Sequence, residues 1–216
     1  WGILLFISMR IAFFSDNFDP ELSGITDTII MTGKELKKRG HEICYIAPRY
    51  SPHDYHRAKR PYPKGATEDT VDGMRIVRLP SFHVPSPTGQ SRFALPQGGS
   101  IAFLKNFKPD IIHTQSPYGV GWEALRAAKH FHIPLVGTNH TALKEFLKYS
   151  PVRAAWAENL ALRYVNWYYG RCEAVTAPSR SVIEEMEFFG FKKEAHIISH
   201  PIDTNLFAQS KNKNVL

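Results

Sequence analysis

Apolar positions along the chain fall into two alternating rhythms. Short apolar runs of strand length occur at about 10–15, 42–47, 74–79, 110–114, 134–138, 173–177 and 196–199. Several lack alternation, as expected of strands buried on both faces of a parallel sheet. Helix-periodic segments lie between them. Over 24–39, Ile25, Ile29, Thr32 and Leu36 share one stripe, while Lys34, Glu35, Lys37, Lys38 and Arg39 fall elsewhere. That pattern predicts an amphipathic helix, with Gly40 as its natural stop. Further helices are predicted at about 120–131, 153–169 and 180–189; the last opens with the capping-box pattern Ser181-Val182-Ile183-Glu184 and ends at Gly190. The β-α-β alternation predicts an α/β domain with a doubly wound, mostly parallel, Rossmann-like sheet.

Residues 48–73 and 80–100 read as irregular, rich in Pro, Ser, His, Arg and Gly. Loops of that length inside a compact domain are usually functional or mobile. The apolar run at residues 3–7 is far shorter than the ~20 residues of a membrane span, and it lacks the basic start and cleavage site of a signal peptide. A good strand follows Met9 at once, so residues 1–8 read as an artefact of start-site assignment or cloning. Residues 9–203 read as one domain, and the polar stretch 204–216 as the start of a linker.

Composition narrows this picture modestly. The chain has 216 residues, 43% of them hydrophobic, enough for a full core. Its net charge of +7 biases it towards anionic partners without choosing among phosphates, nucleotides, nucleic acid and acidic lipid. There is no recognised nucleic-acid module and no dense Lys/Arg stripe, so no nucleic-acid partner is expected. Cys44 and Cys172, far apart and without a CxxC, read as buried free thiols of a reducing compartment.

The candidate chemistry sits where predicted strands end. After Leu135 and Val136 the chain presents Gly137, Thr138, Asn139, His140 and Thr141. In doubly wound sheets ligands bind outside the carboxyl ends of the strands, so His140 stands where a ligand would be. The first strand is followed by a loop, Asp16 to Gly24, that reaches a helix through Ser23-Gly24. Free amides there would cradle a phosphate or sugar hydroxyls, although an N-cap alone would account for Ser23.

Other patterns are set aside. Gly119-Val120-Gly121-Trp122-Glu123-Ala124 matches a dinucleotide fingerprint, but Trp122 would crowd the approach that the second glycine exists to permit, and the next strand ends in Asn139-His140 rather than an acid. A tight helix start is the better reading. His53, His56, His130 and His132 lack further ligands and read as surface histidines, with no metal site. No nucleophile elbow and no Walker loop occur. The aromatic helix at 153–169, preceded by Lys144, Lys148 and Arg153, could suit an anionic membrane interface. The four-residue spacing of Trp156, Leu160 and Tyr164 favours a core helix instead.

Together these motifs resemble the N-terminal domain of a family-4 retaining glycosyltransferase of the GT-B fold. Phe14 to Gly40 resembles the first strand and glycine loop of that family. Pro109-Asp110-Ile111-Ile112-His113-Thr114-Gln115-Ser116 resembles its "PD-strand-His" segment, and Ile133 to Thr141 its strand ending in a histidine motif. Ala177-Pro178-Ser179, Gly190, Pro201-Ile202-Asp203 and Phe207 resemble the run into its interdomain hinge. The resemblance covers Met9 to about Phe207.

The resemblance implies a sugar transferred with retention from a nucleotide-sugar co-substrate, without metal or other cofactor, to an acceptor held on this domain. It implies that Ser23 and Gly24 line the cleft near the donor phosphate, and that His140 is catalytic, bonding the sugar beside the reacting carbon. Tyr118, Asn139 and Thr141 become acceptor-side contacts. In two respects the chain departs from the pattern. Ser23 stands where the family often has a second glycine, which narrows the cradle. The paired glutamates and basic phosphate ligands of the donor domain have no counterpart after Asp203, so this chain alone is expected to be inactive. The nearest branch, the diacylglycerol glucosyltransferases, implies a lipid acceptor such as diacylglycerol and a cytoplasmic protein held peripherally on an anionic inner membrane face. A stand-alone nucleotide- or anion-binding module is the alternative.

Overall fold

A computed structural model describes residues 8–21, 23–63, 68–85, 91–142, 155–202 and 204. Its centre is an eight-stranded sheet of order β10-β9-β8-β7-β1-β2-β4-β3. The strands are β1 (Arg10–Phe14), β2 (Glu42–Pro48), β3 (Glu68–Val71), β4 (Met74–Leu79), β7 (Ile111–Thr114), β8 (Leu135–Thr138), β9 (Ala174–Ala177) and β10 (Ala195–Ile197). All neighbours are parallel except β3, which is antiparallel to β4. A separate antiparallel ribbon joins β5 (Ser81–His83) to β6 (Arg92–Ala94). The helices are α1 (Gly24–Lys38), α2 (Pro52–Arg57), α3 (Ile101–Phe107), α4 (Gly119–Phe131), α5 (Ala155–Tyr169) and α6 (Arg180–Phe188).

The period-two geometry of a strand sends alternate residues to opposite faces, and the two cores follow from it. Ile11, Phe13, Ile43 and Tyr45 face α1, packed there with Ile29. Ala12, Phe14, Cys44 and Ile46 belong to a second cluster with Leu104, Val120, Ala124 and Tyr168. Burial on both faces is why the central strands read as unbroken apolar runs. In α1 the centre of the buried stripe is Thr26, Ile29 and Gly33, with Ile25 and Leu36 at its margins. A Cβ on Gly33 would stand 1.8 Å from the Tyr45 hydroxyl, so the missing side chain is what lets α1 lie against β2.

Three expectations need correction. The segments 48–73 and 80–100 are not wholly irregular: they hold α2, β3 and the β5–β6 ribbon. The Ser181–Glu184 capping box does not form. Instead α6 begins one turn edge earlier, at Arg180 after Ser179, and Glu184 pairs with Arg180 at 3.3 Å. In α5 the buried residues are Leu162, Val165, Tyr168 and Tyr169, whereas Trp156 is 71% and Leu160 62% exposed. Tyrosine hydroxyls that need partners draw the 168/169 edge inwards, and the Trp156–Leu160 edge is left to solvent. Lys144, Lys148 and Arg153 lie outside the described residues, as do 1–7 and nearly all of the linker reading.

Candidate functional site

The chain leaves β1 to one side through β2 and β4, then returns to β7 on the other side of β1. That reversal makes the β1/β7 boundary the topological switch point, where the loops separate and a crevice opens beyond the strand ends. Asp16, just past β1, bridges it. Its Oδ2 accepts from the Ser116 hydroxyl at 2.6 Å and its Oδ1 from the amide of Val120 at 2.9 Å. Burial pushes this carboxyl upward from its usual range, against the bonds from Ser116, Val120 and Gly121.

The N-terminus of α4 is therefore already occupied by a side chain of the protein itself. A phosphate brought there would have to displace the buried Asp16 carboxyl from the Val120 amide, which argues against the dinucleotide use of the glycine pattern. The glycines have another purpose. A Cβ on Gly119 would come within 2.0 Å of the Ala94 carbonyl, and one on Gly121 within 1.9 Å of the Ser116 carbonyl. They let α4 start in close contact with its neighbours, as a tight helix start requires.

The N-terminus of α1 is differently furnished. Ser23 is its N-cap, with Oγ accepting from the amide of Thr26 at 3.1 Å. The first intrahelical bond runs from Asp27 to Ser23, so the amides of Gly24 and Ile25 precede it. Among the described residues nothing lies within 4 Å of a Cβ built on Gly24. Open space over early helix amides is what an anion or sugar oxygen needs.

His140 lies two residues past β8, half-buried. Its Nε2 is 2.7 Å from Gln115 Oε1, and its Nδ1 is 3.0 Å from His200 Nε2. Burial first, then the neighbouring His200 and His113, depresses the imidazole to about 3. At neutral pH it is an uncharged ring whose two nitrogens both have partners. His113 on β7 is also held neutral by burial, at about 4. It sits in a row running His113 Nε2, Thr138 Oγ1, Thr176 Oγ1, with spacings of 2.8 and 2.7 Å.

The predicted acceptor-side residues share this edge of the sheet. Tyr118 precedes α4 and is 46% exposed. Asn139 is buried, its Oδ1 accepting from the amide of Thr141, and Thr141 is half-buried. Helix α5 holds the edge in place with three hydroxyls: Tyr164 donates to the Pro117 carbonyl, Tyr168 to Gly121 at 2.7 Å and Tyr169 to Thr138 at 2.8 Å. Ser23 and Gly24 reach the same edge from the far side of the switch point, with Ser23 spent on Thr26.

Sequence reasoning missed Asp16, Gln115 and His200 as parts of this site. Asp16 and Gln115 follow the last residues of β1 and β7, so strand ends alone could have marked them. Nothing local marked His200. His53, His56, His130 and His132 are exposed, as expected. Among the described residues no group of three metal-ligating side chains occurs. Cys44 and Cys172 are buried free thiols, burial pushing both upward, Cys172 to about 12.

A doubly wound sheet with a histidine past one central strand and an open helix N-terminus past another defines a Rossmann-like domain with a ligand crevice at its switch point. Residues 22–206 match the model of Glycosyltransferase Family 4, and the chain belongs to that family. It is similar to a GDP-mannose-dependent alpha-mannosyltransferase of Mycolicibacterium smegmatis, 30% identical over 182 residues, which cover 82% of this chain and 44% of that protein. It is also similar to the alpha-monoglucosyldiacylglycerol synthase of Streptococcus pneumoniae, 25% identical over 95% of this chain and 43% of that protein. The chain thus spans about half the length of the curated relatives it matches. Among solved structures, a glycosyltransferase from Rickettsia africae shares the fold at a TM-score of 0.53 and 16% identity, over 96% of this chain and 47% of that one.

Proposed function

We propose that this chain is the acceptor-side half of a glycosyltransferase that moves a hexosyl group from a nucleotide-sugar to a lipid hydroxyl, with retention of configuration and without a metal ion. The observation that carries the reading is the neutral His140 imidazole at the carboxyl end of β8, beside the switch point. Its Nε2–H, which meets Gln115 Oε1 here, can bond a sugar hydroxyl next to the reacting carbon when that hydroxyl takes the place of the amide. Being uncharged, it does so without opposing the positive charge that develops on the sugar as the nucleotide leaves. The donor diphosphate belongs over Gly24, where the helix offers amides and space, and not at α4, where Asp16 sits.

The lipid acceptor rests on two supports. One is the similarity to proteins named monoglucosyldiacylglycerol synthases. The other is the outward stripe of α5, where Trp156, Leu160, Arg163 and Trp167 are exposed. Aromatic and basic side chains on one helix face suit the interface of an anionic membrane. In this reading the attachment is peripheral, at the cytoplasmic face; among the described residues no helix is long and apolar enough to cross a membrane.

The test is His140→Ala in a protein that carries this chain together with the rest of its length. Transfer from GDP-mannose and from UDP-glucose to diacylglycerol in mixed micelles is the readout. Turnover is expected to fall by about 10²–10³ with the melting temperature unchanged. Full turnover in the variant would remove His140 from the chemistry, and no turnover in the parent with any donor would favour a binding module. The 216-residue chain alone is expected to transfer nothing.

A further inference from the structure

His140 does not stand alone in the crevice. On one side is Gln115, which is buried and whose own amide is tied to the Phe14 carbonyl at 2.8 Å. On the other is His200, which is exposed, with its ring centroid 5.2 Å from that of His140. His200 follows β10, and the chain is pinned to the sheet just before it by the bond from the Ile198 amide to the Ala177 carbonyl at 2.9 Å. Pro201 comes next and limits the backbone of His200 to extended conformations. A surface side chain on a restrained backbone is thus delivered onto the back of the ring assigned to the sugar.

With Gln115 Oε1 facing the ring, the hydrogen bonds run in one direction. Gln115 Oε1 can only accept, so Nε2 of His140 carries the ring proton. A neutral imidazole has one proton, so Nδ1 is then an acceptor and His200 must donate to it through Nε2–H. Turning over the Gln115 amide would demand a proton shift in both rings. The three groups therefore hold one polarity together, and His200 is the member at the solvent end.

We propose that His200 is a positioning residue for His140: by donating from Nε2 to Nδ1 of His140 it fixes the ring plane and the tautomer whose proton is on Nε2, the nitrogen that meets Gln115 at the crevice. This rests on the reading of His140 as the group that meets the sugar.

Three substitutions separate the hydrogen bond from mere ring packing. His200→Gln keeps an N–H donor and removes the ring. His200→Phe keeps a ring and removes the donor, and His200→Ala removes both. The first readout is the ¹⁵N spectrum of the His140 ring in the 216-residue chain, which needs no activity. The parent and His200→Gln are expected to show distinct protonated Nε2 and bare Nδ1 signals. In His200→Phe and His200→Ala those signals move towards each other, and the ring titrates at higher pH than in the parent, where burial and the neighbouring imidazoles hold it at about 3.

The second readout is turnover in the longer protein, expected to fall about 10–100-fold in His200→Phe with KM little changed, and to recover in His200→Gln. Recovery in His200→Phe but not in His200→Gln would overturn the proposal in favour of packing, as would a His140 tautomer indifferent to all three changes. If His140→Ala leaves turnover intact while the ¹⁵N pattern behaves as expected, the hydrogen bond stands and the sugar-contacting role of His140 falls. The two failures can therefore be told apart.

Discussion

Asp16 and Val120 meet across the switch point, the Asp16 Oδ1 accepting from the Val120 amide in the first turn of α4 at 2.9 Å. The bond does two things at once. It caps a helix whose own N-cap residue, Tyr118, makes no side-chain cap bond, and it fills with a carboxyl group the spot where other Rossmann-like domains hold phosphate. Its strength can be bracketed. Asp16→Ala leaves the Val120 amide and the Ser116 hydroxyl without this partner and is expected to cost about 2–3 kcal/mol. Asp16→Asn keeps an acceptor for Val120 and is spared the burial of a charge, the main force raising the carboxyl, so about 1 kcal/mol or less is expected. Urea titrations of the three proteins read both values.

A second prediction concerns acid. His113 and His140 are both held neutral, at about 4 and about 3, against about 6.5 in an unfolded chain. Between those values the unfolded state binds protons that the folded state refuses, so stability rises with pH across the window. Lowering the pH from 6.5 to 4.5 is expected to remove a few kcal/mol from the pair, less whatever exposure to solvent screens. His113→Asn, which keeps a polar partner for Thr138, should flatten the slope between pH 6 and pH 4.5. An unchanged slope would place the acid sensitivity elsewhere.

The sheet was legible in the sequence because burial on both faces leaves little choice of residue. The seven apolar runs are strands, and Gly40 and Gly190 end their helices with positive φ, +90° and +92°. Two missed elements had signals. Val71-Asp72-Gly73-Met74 is a two-residue hairpin sequence, and Asp72 and Gly73 both have positive φ. Ser51-Pro52-His53-Asp54 is a helix start with proline at its first position and a capping box. Helix periodicity failed on α5 because spacing gives the stripe and not which side is buried. There the tyrosine hydroxyls that needed partners decided the side, and Trp156 and Leu160 were left outside. The site was half legible. Residues just beyond a strand could be placed at the crevice, but His200 arrives from 60 residues further along, and no local pattern announces a contact of that kind.

Glycines that look alike in the sequence should behave oppositely when given a methyl group. Gly121→Ala drives a Cβ to within 1.9 Å of the Ser116 carbonyl, a backbone atom that cannot swing away. A loss of about 3 kcal/mol or more is expected, read by thermal melting. Gly24→Ala meets nothing within 4 Å among the described residues and stands at the first position of α1. There the fold should be unharmed or gain up to about 0.5 kcal/mol from the better helix former. If donor phosphate occupies that space, the same substitution in the longer protein should raise KM for the nucleotide-sugar. A folded Gly24→Ala variant with unaltered donor kinetics would move the phosphate off α1.

The exposed stripe of α5 makes the final case, because its two kinds of side chain predict different responses. Trp156 lies 71% exposed, so Trp156→Ala should change stability by no more than about 0.5 kcal/mol. Any effect on vesicle binding is then a contact effect. Partial burial of an indole at an interface is worth on the order of 1–2 kcal/mol, about tenfold in binding, and should be lost alike on phosphatidylcholine and on phosphatidylglycerol vesicles. Arg163 is exposed as well, and the Arg171 guanidinium lies 3.4 Å from the centre of the Trp167 ring. Each cation near an anionic surface contributes about 1 kcal/mol, within a Debye length of ~8 Å at physiological salt. Arg163→Gln and Arg171→Gln should therefore weaken binding to phosphatidylglycerol several-fold, leave phosphatidylcholine untouched, and lose their effect in high salt. Equal, weak binding of the parent to both lipids would remove the electrostatic part. Tight binding that ignores Trp156→Ala would put the membrane contact on another face, and α5 would be left as the scaffold that its three tyrosine hydroxyls already make it.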